Sequence, residues 1–394
     1  MKLAIIGGGA SGIFVAVLLK GCGLDITIFE KNKTIGKKLL ASGNGKCNIH
    51  NTNGSSSDYA SSSLDKNQIQ KIINKFTYSD FYKLCSKLGL PLIAEGSKVY
   101  PMSYSAKSVL EVFQLSLEEV HIRCNEEIID IKLDKNYKIK SNKQEYEYDF
   151  VVVSCGSNAH ERLGGSDSGY RLGQKLGFQL VDTYPVLTPL KCKQVFCDLN
   201  GLKVFSKITL KDKNIKIIEI DGDLLFTNYG VSGFGILDIS YYLNLCEIPS
   251  FSVDLLPNIS KEALEKILIN SIKTYKNASL CEILSGIVNP KLAKYLTNNK
   301  KSDIKSIKNI VYAIKNLQIT PELTQEANNA EVCGGGISFE CINIDTFESK
   351  KYKNLYIIGE VLDIVGKRGG HNLAFAWSGA YICANSIKKR MQIQ

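Results

Sequence analysis

The sequence predicts an α/β fold in which one βαβ-based domain is split by an inserted domain, part β and part helical. Three observations predict it. A buried-strand run, a glycine turn, a helix and a second strand follow one another over residues 3–29. The hydrophobic period drops to two over Glu127–Phe150, and further strand-like and then helical periods follow. A buried run, Leu355–Ile358, and one long helix return at the C-terminal end, where the first domain lacks its last pieces. The boundaries so set are 1–186 and 331–394 for the split domain and 187–330 for the insert, whose length suits one domain.

Each element has its own signal. Leu3–Ile6 is a short apolar strand, Gly7-Gly8-Gly9 a tight turn, and Ala10–Lys20 a helix that stops near Gly21 and Gly23. Asp25–Phe29 is the second strand, closed by Glu30. Asn51–Asn67, rich in Ser, Asn and Asp, is expected to be an exposed, mobile loop. Gln68–Leu88 reads as one helix stopped by Gly89, and Ser105–Val120 as another. Ile129, Ile131, Leu133, Tyr137 and Ile139 alternate with polar residues, an antiparallel meander that leads into Phe150–Val153 and then Ser154-Cys155-Gly156. In the insert, Val204–Leu210 and Ile215–Ile220 are strands, with Asp221-Gly222 as a hairpin signal before Leu224–Phe226. Ser260 is a good N-cap for a helix with Leu264, Ile267, Leu268 and Ile272 on one face. Three short amphipathic segments precede Pro321, and the last helix runs from about Asn372 to Lys388.

Composition narrows the class. The chain has 394 residues, 44% hydrophobic and 22% charged, which suits a folded globular protein and excludes disordered and fibrous classes. The net charge is +10, but of 49 basic residues only five are arginine. A nucleic-acid reader spends arginine on bases and phosphates, so scattered lysine on solvated faces is the favoured reading and a nucleic-acid partner is disfavoured. The 12 cysteines include no CxxC pair and no zinc-like spacing, so they are expected to be free thiols in a reducing cytoplasm, with no metal. The apolar run Leu3–Leu19 resembles a signal segment, but Gly7, Gly8, Gly9, Ser11 and Gly12 interrupt it. No stretch reaches the ~20 apolar residues of a membrane span, so no membrane partner is expected.

Gly7-x-Gly9-x-x-Gly12 carries the chemistry. Gly7 allows the turn, Gly9 lets the backbone approach a pyrophosphate, and Gly12 lets the helix pack on the strand. The amides and dipole of the helix start favour the phosphates. Glu30 ends the second strand and is placed to accept from both ribose hydroxyls of a dinucleotide, while its charge repels a 2′-phosphate. The fingerprint by itself does not separate NAD from FAD.

Other segments do. Ser42-Gly43-Asn44-Gly45-Lys46-Cys47-Asn48, Leu224–Gly233, and Gly359-Glu360-Val361-Leu362-Asp363 with Gly369-Gly370-His371-Asn372 resemble the BaiN-like, or aminoacetone-oxidase-like, FAD-dependent flavoprotein oxidoreductases over nearly the whole chain. The resemblance implies a Rossmann-like FAD-binding domain of the glutathione-reductase type, split by the insert. It implies cofactor contacts at Ala10, Ser11, Lys31, Gly36, Lys37, Lys38, Ser42, Gly43, Asn44, Ile128, Gly156, Gly359, Glu360, Asp363, Gly370, Asn372 and Leu373, beside Gly7, Gly9, Gly12 and Glu30. Glu360 and Asp363 would lie near the ribityl chain or pyrophosphate, and the start of the last helix would face the flavin N1–C2=O edge, where reduced flavin is negative. The chain departs from the family at Lys46, His371, Ser154-Cys155 and the Leu-Ala-Phe-Ala-Trp start of the last helix, which leaves the substrate open.

His371 and Tyr100 are the catalytic candidates: an imidazole near the flavin edge can stabilise charge or relay a proton, and Tyr100 lies in a segment similar to one that approaches the family's active site. The plainer readings are a helix-start residue and a core aromatic. Cys47, Cys155 and Cys333 read as buried small residues, and Trp377 as packing. The expectation is an FAD-dependent oxidoreductase acting on a small-molecule substrate, with transient NAD(P)H as electron source. The alternatives are an amine oxidase producing peroxide and, in a different class, a flavin-bearing RNA-binding or RNA-modifying factor. Nothing in the sequence sets the oligomeric state.

Overall fold

The structure, a computed structural model, describes residues 1–194, 196–297, 304–322 and 329–392. It divides into two compact units, Met1–Pro185 with Ala330–Gln394, and Val186–Asn329.

The first unit is built on a five-stranded parallel sheet. Lys2–Ile6 is central, Phe150–Val153 and then Leu355–Ile357 lie on one side, and Asp25–Phe29 and then His121–Arg123 on the other. Leu3, Ala4 and Ile5 are fully buried, as expected of a parallel strand covered on both faces. The helix Ala10–Leu19 is apolar all round and correspondingly buried. It packs against the terminal helix His371–Gln392, where Phe14 meets Trp377 at 4.9 Å between ring centroids. The meander forms as expected, Ile128–Leu133, Tyr137–Ser141 and Glu145–Tyr148, all antiparallel.

Three expectations for this unit are corrected. Gln68–Leu88 is two helices, Lys66–Ile73 and Tyr78–Lys87, because Asp65 and Thr77 each start a helix with a capping box. The segment 51–67 is not an open loop: Tyr59 is 2% exposed, and Tyr59–Ala60 pairs with Val365–Gly366. The helix expected to reach Val120 ends at Leu115, with turns beyond Ser116. Gly334-Gly335-Gly336 lies inside the strand Val332–Ile337, which pairs with Leu180–Val186. A Cβ on Gly334 would stand 2.2 Å from the Tyr184 ring, so glycine is what admits that ring.

The second unit holds a six-stranded sheet, with four helices from Lys261 to Lys315 among the described residues. Its central hairpin joins Lys203–Asp212 to Ile215–Thr227. The turn is at Lys213-Asn214, both left-handed with φ of 48° and 68°, and not at Asp221-Gly222, which runs through the long strand. Gly222 serves close approach: a Cβ there would lie 2.8 Å from Gly235 Cα of the helix Phe234–Ser240. Ser260 caps Lys261–Thr274 by accepting from Ala263 N–H at 3.1 Å. Leu264 and Leu268 are fully buried, but Ile267 is 43% exposed, outside the face assigned to it.

No helix among the described residues is long and apolar enough to cross a membrane. All twelve cysteines are free, and no group of His, Cys, Asp and Glu among the described residues is placed to hold a metal.

Candidate functional site

The glycine turn is shaped by its neighbours. Gly7 has φ 108° and its N–H donates to Phe29 O at 2.8 Å. A Cβ on Gly12 would stand 2.1 Å from Gly7 O and 2.6 Å from Ser154 Oγ, so only glycine lets the helix start press on the first strand. Gly9 is the reverse: a Cβ there would meet nothing within 4 Å. The helical ladder begins with Ile13 N–H to Gly9 O at 2.9 Å, so the amides of Ala10, Ser11 and Gly12 stand at the open end. A Cβ on Gly359 would lie 2.5 Å from Ser11 Oγ, which brings the C-terminal motif to this same helix start.

Glu30 is buried, 8% exposed. Its Oε2 accepts from Gly8 N–H at 2.9 Å, and its Oε1 from Asn32 N–H at 2.8 Å and Nδ2 at 2.6 Å. Oε1 is filled and Oε2 keeps room for one more donor. The expectation of two ribose hydroxyls on this carboxylate therefore narrows to one at Oε2. Lys31 follows, partly buried. Gly36 N–H donates to Gly8 O at 2.8 Å and opens the helix Lys37–Ala41 beside the turn. Lys37 Nζ donates to Arg162 O at 3.3 Å.

Lys38 and Glu360 form a partly buried ion pair at 2.8 Å. The other oxygen of Glu360 accepts from Ser157 Oγ at 2.9 Å and Cys333 N–H at 3.2 Å. Both carboxylate oxygens thus already tie four segments of this unit together. Ser42 Oγ donates to Leu39 O at 2.6 Å, and Gly43 and Asn44 turn the chain with φ of 57° and 54°. Ile128, 3% exposed, opens the meander, and Gly156 has φ 72° just after the parallel strand Phe150–Val153.

Asp363 is fully buried. Its Oδ2 accepts from Ser62 N–H at 2.9 Å, from Ser63 N–H at 2.9 Å and Oγ at 2.8 Å, and from Ser61 Oγ at 3.2 Å. Its Oδ1 is buried with no hydrogen-bond partner. The Ser61-Ser62-Ser63 run was not singled out in the sequence. Its signal is three small hydroxyls in a row beside a buried aromatic, Tyr59.

The start of the terminal helix is fastened from three sides. Asn51 Nδ2 donates to Gly369 O at 2.8 Å. Asn372 donates from Nδ2 to Gly366 O and accepts from Gly366 N–H, both at 2.8 Å. Tyr59 OH donates to His371 O at 3.0 Å. A Cβ on Gly370 would stand 2.3 Å from His50 O, and Leu373 packs partly buried on the core. The ladder begins with Ala374 N–H to Gly370 O at 2.9 Å, leaving the first amides at the open end.

His371 is 6% exposed, and its Nδ1 is buried without a partner. Burial pushes its imidazolium below the ordinary histidine range; Asp58 opposes this and Lys367 adds to it, and the balance favours the neutral ring. Tyr100 lies in the strand Lys98–Pro101 and is half-buried. That strand pairs with His50–Asn51, the segment that holds Gly369, so one small sheet carries Tyr100 and supports the turn before His371. Burial and Glu95 raise the Tyr100 phenol, and Arg368 opposes them. Trp377 is a packing residue, fully buried, with Nε1–H donating to Ile49 O at 2.9 Å. Burial pushes the Cys47, Cys155 and Cys333 thiols up, to about 11, 12 and 12, so none is a thiolate near neutral pH.

These residues fit a flavin dinucleotide: an uncrowded helix start for phosphates, a carboxylate with one acceptor position left, and a buried, unpartnered carboxylate oxygen suited to a polyol hydroxyl. The HI0933-like protein Rossmann domain family matches residues 1–386. A 3-dehydro-bile acid delta(4,6)-reductase of Clostridium scindens is 31% identical over 408 aligned positions, covering 99% of each chain. A ribosomal RNA dihydrouridine synthase of Haemophilus influenzae is 28% identical, covering 98% of each. The fold is shared with the crystal structure of a 3-ketosteroid delta1-dehydrogenase from Sterolibacterium denitrificans, at TM-score 0.52 and 12% identity, covering 98% of this chain and 99% of that one. The chain belongs to the HI0933-like Rossmann family and is, with it, an FAD-dependent oxidoreductase.

Proposed function

We propose that this protein is an FAD-dependent reductase of a carbon–carbon double bond conjugated to a carbonyl, drawing its electrons from transient NAD(P)H. The observation that carries the reading is the buried His371 at the start of the terminal helix, with its Nδ1 left without a hydrogen-bond partner. The two named relatives support it chemically. A 3-dehydro substrate unsaturated at 4 and 6 is a dienone, and uridine carries its double bond next to a carbonyl. Both names describe saturation of an electron-poor alkene.

When bound, FAD would supply a hydride to the β-carbon of such an alkene, and a proton from water would complete the saturation at the α-carbon. The chain's own residues supply the rest. Ala10–Gly12 amides would hold the phosphates of FAD and Glu30 its ribose, and Asp363, which anchors the serine loop, would offer Oδ1 to a hydroxyl. As hydride arrives, negative charge builds on the substrate carbonyl oxygen. The N–H of a neutral imidazole can donate a hydrogen bond to that oxygen, and the helix-start amides add to the same field. Tyr59 and Asn51 keep His371 in place through the backbone.

The test is anaerobic reduction of the flavoprotein by NADH and by NADPH, followed by an α,β-unsaturated ketosteroid or a uridine-containing RNA. Rapid reduction and then reoxidation by either acceptor supports the reading. Reduction only by an amine, with peroxide on admitting air, replaces it with an oxidase. The RNA acceptor is the second substrate reading, favoured by the 28% identical relative.

A further inference from the structure

We propose that the groove beside the C-terminal half of the terminal helix binds phosphate groups, of the kind carried by an oligophosphate or an RNA backbone. The groove has a volume of about 660 Å³ and is lined by Lys75, Lys353, Tyr381, Lys389 and Arg390, with Asp345 as its one acid. Asp345 is already matched by two lysines, Lys71 at 2.9 Å and Lys75 at 2.5 Å. Arg390 bonds Glu348 through Nη2 at 2.6 Å, which fixes the guanidinium and leaves donors over. Lys353 and Lys389 are exposed and have no ion-pair partner among the described residues.

The helix dipole accounts for part of this. Lys389 and Arg390 sit in the last turn, where cations complement the carbonyl end. It does not account for Lys75 or Lys353, which come from the helix Lys66–Ile73 region and from the turn before Leu355. Three separate segments bring cations to one concave surface. Tyr381, also on the wall, stacks on Phe76 at 4.4 Å and 18°, a braced aromatic face beside the charges. Cations with an adjoining aromatic face are the elements that hold a nucleotide strand by phosphate and ring.

The groove is not the flavin site. Tyr381 and Arg390 follow His371 on one helix by 10 and 19 residues, about 15 and 28 Å of axial rise. A phosphate held here anchors a ligand at a distance from the reacting edge. The inference does not depend on the reductase reading.

The experiment uses the flavin-loaded full chain and two probes, a labelled short single-stranded RNA and tripolyphosphate, titrated at several salt concentrations. The comparison is with Lys353→Ala/Lys389→Ala, two exposed positions, checked by unchanged flavin content and melting temperature. The double variant should weaken binding tenfold or more and lower the slope of log Kd against log salt by about one to two. Binding of both probes in competition identifies a polynucleotide; binding of tripolyphosphate alone identifies a free oligophosphate; either upholds the site. Absence of binding by both probes at low salt overturns it, as does wild-type binding by the double variant. Should the double variant lose flavin or stability, Lys353→Glu alone gives the same reading.

Discussion

Ser63 reaches Asp363 twice, through its N–H at 2.9 Å and its Oγ at 2.8 Å, although 300 residues separate them in the chain. One carboxylate oxygen thereby gathers the serine turn, while the other is left buried and unpartnered. Asp363→Asn keeps the shape and removes the charge that these donors share. Stability should fall by about 1–3 kcal/mol, and FAD affinity by tenfold or more, read by melting temperature and by fluorescence of flavin released on dilution. An Asn variant with wild-type flavin retention removes Asp363 from the cofactor site.

Two glycines of the fingerprint should separate folding from binding. At Gly12 an added Cβ meets backbone that cannot yield, 2.1 Å away. Gly12→Ala should therefore cost about 1–3 kcal/mol and lower the melting temperature of the flavin-free protein. At Gly9 the same atom meets nothing within 4 Å. Gly9→Ala should leave the flavin-free melting temperature unchanged and weaken FAD binding alone. Equal melting shifts in both variants contradict this division.

Glu30→Gln replaces one acceptor oxygen by an NH2 group that faces Gly8 N–H or the two Asn32 donors, all within 2.9 Å of the carboxylate. FAD affinity should drop about tenfold, the loss of one charge-assisted hydrogen bond. Isothermal titration of the apoprotein measures it, and an unchanged Kd refutes the ribose assignment.

Acid should destabilise the protein through its buried histidines. Burial lowers the His50 imidazolium from 6.5 to about 4; Asn51 O opposes this and the field of His371 adds to it. The unfolded chain then binds more protons than the native one between these values. Stability is full above pH 6.5 and is lost as pH falls towards 4, by about 3 kcal/mol for this group alone. His50→Phe keeps the aromatic contact with Phe81 and Tyr78 and removes the titrating ring. Denaturant unfolding at several pH values should show a shallower acid slope in the variant, and an identical slope assigns the loss elsewhere.

The serine turn also marks how far the sequence reaches. The parallel strands around Leu3–Ile6, the meander and the phosphate-side helix were legible because each is a local pattern: an apolar run, an alternation, a glycine spacing before a helix. The breaks were less so. Thr77 interrupts Gln68–Leu88 because its capping box with Asp80 competes with continuation, a signal that is present but weaker than the hydrophobic period around it. Asp221-Gly222 carries hairpin chemistry and yet lies flat in a strand, since Gly222 is spent on the close approach of Gly235.

By itself the sequence determined the α/β class and the dinucleotide fingerprint, because strand and helix periods and the glycine spacing depend on neighbours a few residues apart, while the family and its flavin came from the resemblance of longer segments such as Ser42–Asn48 and Gly359–Asp363. Tertiary structure alone decided which polar groups are filled and which are left open. Oε1 of Glu30 is used up by Asn32, both oxygens of Glu360 by Lys38, Ser157 and Cys333, and one oxygen of Asp363 by the serine turn. Those partners lie up to several hundred residues away, and whether a buried donor or acceptor is satisfied depends on position in space, which no local pattern records.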